Sequence, residues 1–177
     1  AWNGTSAGWL GFEADRKLCR EITAATGIPA TTSTLALAEA FEAARVERYA
    51  LVTPYLNEIQ EKIIANFASE GFACMAERHL NDKGNFSFSE VTEERIAGMV
   101  RDVAADKPQA ITTYCTNFRG APVVDELERE LAIPIFDSIS VVVWKSLILA
   151  GVDPGGVMGW GRLFNDQAMV GLKVRHA

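Results

Sequence analysis

The chain has 177 residues, of which 49% are hydrophobic and 23% are charged, and its formal net charge at pH 7 is −6. This length can bury a well-formed core without requiring two domains. The acidic balance argues against nucleic acid and against an anionic membrane as the main partner, and we expect neither.

Helical and extended patterns alternate along the chain. In chain order, apolar spacing predicts helices over 12–26 and 33–45, a strand over 49–52, a helix over 56–70 and a strand over 72–77. It then predicts a helix over 92–105, a strand over 110–114, a helix over 123–131, a strand over 135–136 and a helix over 138–150. Because such alternation is typical of parallel strands with helices on both faces, we expect an α/β fold with mainly parallel sheets.

Hydroxyl residues stand at the predicted starts of three helices, at Ser33, Thr92 and Ser138. A side-chain oxygen at this position can accept a hydrogen bond from the free backbone N–H groups of the first turn. We therefore expect capping to be their main role, with ligand contact a lesser possibility for Ser33 and Ser138.

Three cysteines and two histidines offer no metal signature. Cys19, Cys74 and Cys115 are irregularly spaced and cannot all pair, so we expect a reduced cytoplasmic protein with no zinc site. Cys19 and Cys74 fall on an amphipathic helix and a strand, where packing is the expected role. His79 borders a polar loop with no acidic partner evident, and we interpret it as a solvated surface histidine.

Two stretches of the chain follow the same plan. Each begins with a short polar motif, continues through a helix to an Ile-Pro step, and then opens a second helix at a serine after an identical interval. We interpret this as a duplicated unit in which Gly4 and Cys115 occupy equivalent places. The matching segments are Gly4-Thr5-Ser6, Ile28-Pro29 and Ser33 in the first stretch, and Cys115-Thr116-Asn117, Ile133-Pro134 and Ser138 in the second.

The two units differ in what precedes them. A full strand leads to Cys115, whereas only three residues precede Gly4. We therefore expect that a strand and the unit before it are missing at the N-terminus, either because the chain is a fragment or because another copy or segment supplies them. An open sheet edge of this kind has unpaired backbone groups, which can pair with the missing segment or with a second copy of the chain in a homo-oligomer.

Cys115 is the strongest candidate for chemistry. It lies where a strand ends and a polar loop begins, which is the usual ligand position in an open α/β sheet. A helix starts soon after, and backbone N–H groups there favour a thiolate or a substrate carboxylate. Such a thiol can exchange a proton with carbon, and the alternative is a buried structural cysteine.

Other polar residues could bind a substrate. Gly4-Thr5-Ser6 offers two hydroxyls and free backbone N–H groups for a carboxylate or enediolate oxygen, although the motif by itself favours a simple helix-capping turn. Tyr55 and Asn57 follow the strand over 49–52, where a phenol could donate to a second carboxylate oxygen. The alternative for this pair is a helix start with Tyr55 packed and Asn57 solvated.

Taken together, the motifs resemble the aspartate/glutamate racemase superfamily, in its branch of arylmalonate decarboxylases and maleate cis-trans isomerases. The resemblance covers most of the chain and rests on the order and spacing of motifs that are weak individually. These are Gly4-Thr5-Ser6, Thr26-Gly27-Ile28-Pro29, the residues over 31–34 and 50–55, Cys115-Thr116-Asn117, Ile133-Pro134 and Gly161-Arg162-Leu163-Phe164.

The resemblance implies two pseudo-symmetric doubly wound lobes with the active site between them. Residues 1–40 and 135–177 would be the remainder of the first lobe, whose N-terminal strands are missing, and 41–134 the second lobe. Racemases and isomerases of the superfamily carry a cysteine at both matching strand ends, whereas arylmalonate decarboxylase has glycine followed by Thr-Ser at the first. Gly4 and Cys115 match the decarboxylase pattern.

The resemblance further implies a cofactor-independent reaction on a small carboxylate. Thr5, Ser6 and Tyr55 would hold one carboxylate, the other would leave as CO₂, and Cys115 would protonate the carbanion. Thr116-Asn117 departs from the small glycines of the decarboxylase, and Asn117 could bind a second carboxylate as an isomerase requires. An isomerase or racemase and a non-catalytic carboxylate-binding remnant therefore remain alternatives.

Overall fold

A four-stranded parallel sheet forms the centre of the structure, a computed structural model that describes residues 1–166 and residue 169. The strands are β1 (Arg48–Thr53), β2 (Ala73–His79), β3 (Ala110–Thr113) and β4 (Ile135–Asp137), in the order β2-β1-β3-β4. Every strand pair is parallel, as the alternating pattern predicted. β1, β3 and β4 are buried almost throughout, whereas β2 lies at the edge and is partly exposed.

Among the described residues, seven α-helices pack around this sheet, and the predicted helices are confirmed within one or two residues at each end. A single helical turn between Ser6 and Gly11 was not predicted. Large aromatic side chains fill the core, among them Phe41, Tyr49 and Phe67. The helices are α1 (Ala7–Leu10), α2 (Phe12–Thr26), α3 (Ser33–Ala43), α4 (Asn57–Ser69), α5 (Glu93–Ala104), α6 (Val124–Leu131) and α7 (Ser138–Leu149).

The expected caps are right at one helix and wrong at two. Thr92 caps α5 by accepting from the backbone N–H of Arg95. The caps of α3 and α7, however, are Thr32 and Asp137 rather than Ser33 and Ser138. The physical reason is backbone conformation, since Thr32 and Asp137 are extended and each turns its side chain toward the first helical turn.

The structure repeats one strand pairing in the two duplicated stretches. Thr113, two residues before Cys115, pairs in parallel with Asp137, which directly precedes α7. Trp2, two residues before Gly4, pairs in parallel with Thr32, which directly precedes α3. This agreement supports the duplication and the equivalence of Gly4 and Cys115.

The division into two lobes stays a prediction. β4 was assigned to the first lobe, and it is the fourth strand of the sheet formed with β1, β2 and β3. Part of the predicted range 135–177, namely residues 167–168 and 170–177, lies outside the described residues. No helix within the described ranges is long and apolar enough to cross a membrane.

Candidate active site

Two strand ends and one N-terminal turn meet at Cys115. Cys115 follows the carboxyl end of β3 and Tyr55 follows that of β1, and neighbouring parallel strands bring these ends to the same edge of the sheet. The backbone N–H of Tyr114 donates to the carbonyl of Val52 at 2.9 Å, which extends the pairing of the two strands toward the site.

Thr5, Tyr55 and Cys115 form a buried cluster. The side-chain oxygens of Thr5 and Tyr55 lie 2.7 Å apart, and the same phenol hydroxyl interacts with the thiol of Cys115. The rings of Trp9 and Phe88 pack edge-on against Tyr55 at centroid distances of 5.2 and 5.6 Å. Three residues predicted from separate motifs are therefore brought together in an apolar setting.

The surroundings of Cys115 favour the protonated thiol over the thiolate. Burial raises its pKa above the ordinary value of a cysteine, and the nearby Asp137 carboxylate acts in the same direction. The Tyr55 hydroxyl and the backbone N–H groups of Asn117 and Phe118 oppose this shift because each stabilises the thiolate. The net effect keeps the thiol protonated at neutral pH. The Tyr55 hydroxyl and the two backbone N–H groups would stabilise the thiolate if the proton left.

Tyr55 supplies a neutral hydrogen-bond donor. Burial is the main cause that raises its pKa well above the usual range of a phenol, and the adjacent Cys115 adds to the effect. The phenol therefore stays protonated at any physiological pH. A neutral donor in an apolar pocket can stabilise an oxyanion without introducing a competing charge.

Gly4 and Ser6 flank Thr5 in the same turn. A Cβ added at Gly4 would lie 2.5 Å from the indole Nε1 of Trp2, so a cysteine at this position would require the indole to move. Ser6 is half-buried at the start of α1, and its hydroxyl makes no capping hydrogen bond to the first turn of this helix.

Tyr114 connects the turn that carries Thr5 to the start of α3, and the sequence did not predict this role. Its buried hydroxyl donates to the carbonyl of Thr5 at 3.0 Å and lies 2.7 Å from Oγ1 of Thr34. Gly8 leaves room for this ring, because a Cβ there would lie 2.6 Å from it. The only sequence signal was its position directly before Cys115, which a buried strand residue also explains.

Two predicted substrate-binding residues, Asn57 and Asn117, contact other side chains. Asn57 is exposed at the start of α4, and its Oδ1 contacts Nε2 of His79. Asn117 is exposed and donates through Nδ2 to the Oδ1 of Asn85 at 2.8 Å. Thr116 is half-buried between Cys115 and Asn117. Contact of Asn57 or Asn117 with a substrate therefore requires these side chains to leave their present partners.

The interpretation of His79 as a solvated histidine without an acidic partner is wrong. Its Nδ1 lies 2.6 Å from Oε2 of Glu77, and most of the side chain is buried. Alternate residues of a strand share one face, which places Glu77 and His79 side by side on β2. Within residues 1–166 and 169, no group of three or more His, Cys, Asp or Glu side chains is arranged to hold a metal ion.

The site can be compared with known proteins. Residues 2–164 match the arylmalonate decarboxylase family. The chain belongs to this family. It is 30% identical over 144 residues to the arylmalonate decarboxylase of Bordetella bronchiseptica, which covers 80% of this chain and 60% of that protein. It is also 30% identical over 137 residues to the maleate isomerase of Nocardia farcinica, covering 76% of this chain and 54% of the isomerase.

A solved structure of a family member shares the fold. This is a liganded crystal structure of an arylmalonate decarboxylase variant in which a glycine is replaced by cysteine and a cysteine by serine. Its TM-score to this chain is 0.82 at 28% sequence identity, over 92% of this chain and 71% of that one. The chain thus has the fold of these enzymes, and it spans 54% to 60% of the length of the two curated relatives above.

Proposed function

We propose that this chain carries the reacting residues of a cofactor-independent decarboxylase that acts on a substituted malonate-type dicarboxylic acid. The observation that carries the proposal is the buried cluster in which the Tyr55 hydroxyl interacts with both the Thr5 hydroxyl and the thiol of Cys115. It combines donors for a carboxylate with a proton donor, which are the two functions that decarboxylation requires.

The first step places negative charge on the retained carboxylate. Thr5, Ser6 and Tyr55 donate to its oxygens, while the departing carboxylate lies in apolar surroundings that do not solvate its charge. The bond between the α-carbon and the departing carboxylate breaks, its electron pair passes into an enediolate, and CO₂ leaves. Neutral donors suit this step because the charge they stabilise grows as the bond breaks.

The second step moves one proton. The S–H bond of Cys115 breaks as its proton passes to the α-carbon, and the enediolate collapses to a carboxylate. The thiolate left behind is stabilised by Tyr55 and by the backbone N–H groups of Asn117 and Phe118 until it takes a proton from solvent. Protonation from this one side predicts a product of a single configuration.

Gly4 favours decarboxylation over a two-cysteine reaction. It occupies the place that matches Cys115 in the duplicated unit, so the second thiol of a two-base mechanism has no counterpart there. The glycine and cysteine exchanged in the arylmalonate decarboxylase variant are the same two residue types.

A maleate-type cis-trans isomerase is the second candidate. It is favoured by the identity to the Nocardia farcinica maleate isomerase and by Asn117, whose amide could bind a second carboxylate. Such a reaction would require Asn117 to release Asn85 and rotate toward the thiol.

Products in deuterated water separate the candidates. The protein is incubated with substituted malonates and with maleate, and CO₂, fumarate and deuterium at the α-carbon are followed. CO₂ release with deuterium on one face, lost in Cys115→Ala, supports the decarboxylase, whereas fumarate formation supports the isomerase. Binding of either acid without turnover would contradict both and support a carboxylate-binding protein.

A further inference from the structure

A chain of polar side chains connects the edge strand β2 to the turn that carries Tyr55. The backbone N–H of Tyr55 donates to Oγ1 of Thr53 at 3.3 Å, and this hydroxyl donates to Oε1 of Gln60 at 2.6 Å. Gln60 in turn donates through Nε2 to Oε2 of Glu77 at 2.9 Å. The same carboxylate oxygen lies 2.6 Å from Nδ1 of His79.

Each link of this chain has one donor and one acceptor, so the side chains hold one another in a single arrangement. Thr53 is fully buried and Gln60 is 2% exposed. A buried polar group that loses its partner is costly, which makes rotation of either side chain unfavourable. Glu77 and His79 anchor the outer end of the chain on the neighbouring strand.

Thr53, at the end of this hydrogen-bonded series nearest the site, binds the backbone of Tyr55. Pro54 has no N–H, so the N–H of Tyr55 is the first donor after β1, and Thr53 accepts it. This hydrogen bond helps to set the direction in which the polypeptide backbone continues after β1. The direction decides whether the phenol of Tyr55 reaches Thr5 and Cys115.

We propose that Gln60 is a positioning residue that acts through Thr53 to hold the Tyr55 phenol between Thr5 and Cys115, with Glu77 and His79 as its anchor. This inference rests on the proposed function for its catalytic consequence. Its structural content concerns the contact between Tyr55 and the thiol, which can be measured without a substrate.

The test is the pH dependence of Cys115 alkylation by iodoacetamide, followed by mass spectrometry of the peptide that contains Cys115. Only the thiolate reacts, so the midpoint of the rate profile reports how well its surroundings stabilise the anion. The titratable groups around the thiol are Tyr55 after β1, Tyr114 after β3 and Asp137 at the end of β4. Tyr55→Phe calibrates the loss of the phenol, with an expected upward shift of roughly one pH unit.

Gln60→Leu keeps the size of the side chain and removes both of its hydrogen bonds. We expect the alkylation midpoint to move upward by at least half of the shift seen in Tyr55→Phe. The matched control is Thr112→Val, which removes a buried hydrogen bond to the carbonyl of Phe136 on the adjacent strand without touching Tyr55. It should leave the midpoint unchanged at a similar loss of stability.

Two variants of Glu77 keep the test decisive if Gln60→Leu does not fold. Glu77→Gln retains an oxygen that accepts from Gln60 and should keep the midpoint of the unaltered protein, whereas Glu77→Leu should raise it. Unchanged midpoints in Gln60→Leu and Glu77→Leu would overturn the inference. Inactivity toward malonates together with the expected shifts would instead contradict the proposed function and leave the positioning role standing.

Discussion

The side-chain oxygen of Tyr55 lies 2.7 Å from that of Thr5, although the two residues are 50 positions apart in the chain. This contact joins the turn after β1 to the turn before α1. It places the phenol where one hydroxyl can serve both the Thr5 side chain and the thiol of Cys115.

Removing the Tyr55 hydroxyl should slow decarboxylation. Tyr55→Phe deletes one donor to the developing enediolate, and loss of a single donor of this kind lowers kcat by about 10²-fold. Steady-state kinetics with a substituted malonate measures the effect. Tyr49→Phe, which removes a buried phenol hydroxyl elsewhere on the sheet, is the matched control and should retain activity. Equal rates for Tyr55→Phe and the unaltered protein would exclude the donor role.

Two helical glycines should respond oppositely to alanine. In Gly8→Ala the new Cβ meets the Tyr114 ring at 2.6 Å, and overpacking of this kind destabilises by about 1–3 kcal/mol. In Gly98→Ala on α5 the Cβ meets nothing within 4 Å, and the better helix propensity of alanine should stabilise by up to about 1 kcal/mol. Chemical denaturation measures both values. A stabilised Gly8→Ala would contradict the close packing at Tyr114.

Much of the site was predictable because the end of a buried strand shows in the sequence as an apolar run followed by polar residues. Thr5, Tyr55 and Cys115 each follow an apolar run or open a helix, and the parallel sheet brings these positions together. The contacts of Tyr114 with Thr34 and Thr5 were not predictable, since they join residues 80 and 109 positions apart. Local sequence patterns carry no signal for such pairs.

Three features that the sequence did not predict have local physical causes. Asn57 and Asn117 lie near the site along the chain, but their exposed side chains pair with His79 and Asn85, and proximity in sequence does not fix side-chain direction. The caps of α3 and α7 were assigned one residue too late because Ser33 and Ser138 resemble caps by type. The pairing of Glu77 with His79 could have been found from the two-residue period of a strand.

Asp137 should make stability fall as pH rises. Burial raises its pKa to about 6, above the value near 3.9 of an unfolded aspartate. Between these two pKa values, the folded protein therefore binds more protons than the unfolded chain. The stability linked to protonation of Asp137 is fully present below the unfolded pKa and is lost as pH rises through the folded pKa. Asp137→Asn keeps an oxygen to cap α7 and cannot ionise.

The free energy of unfolding, measured by urea denaturation, tests this linkage. Between about pH 4 and pH 7, the unaltered protein should lose about 2 kcal/mol relative to Asp137→Asn. Asp153→Asn is the control, because this exposed carboxylate caps only a short turn. Parallel stability curves for Asp137→Asn and the unaltered protein would show that Asp137 does not titrate in this range.

In the proposed reaction, the thiol of Cys115 delivers the proton that completes decarboxylation. The direct measurement is the rate of CO₂ release from a substituted malonate by Cys115→Ala, compared with Cys74→Ala, which removes a half-buried thiol on β2. Loss of a positioned general acid lowers the rate by about 10²- to 10⁴-fold, so we predict a fall in this range for Cys115→Ala and little change for Cys74→Ala. CO₂ release by Cys115→Ala at the rate of the unaltered protein, with deuterium still delivered to one face, would contradict the account.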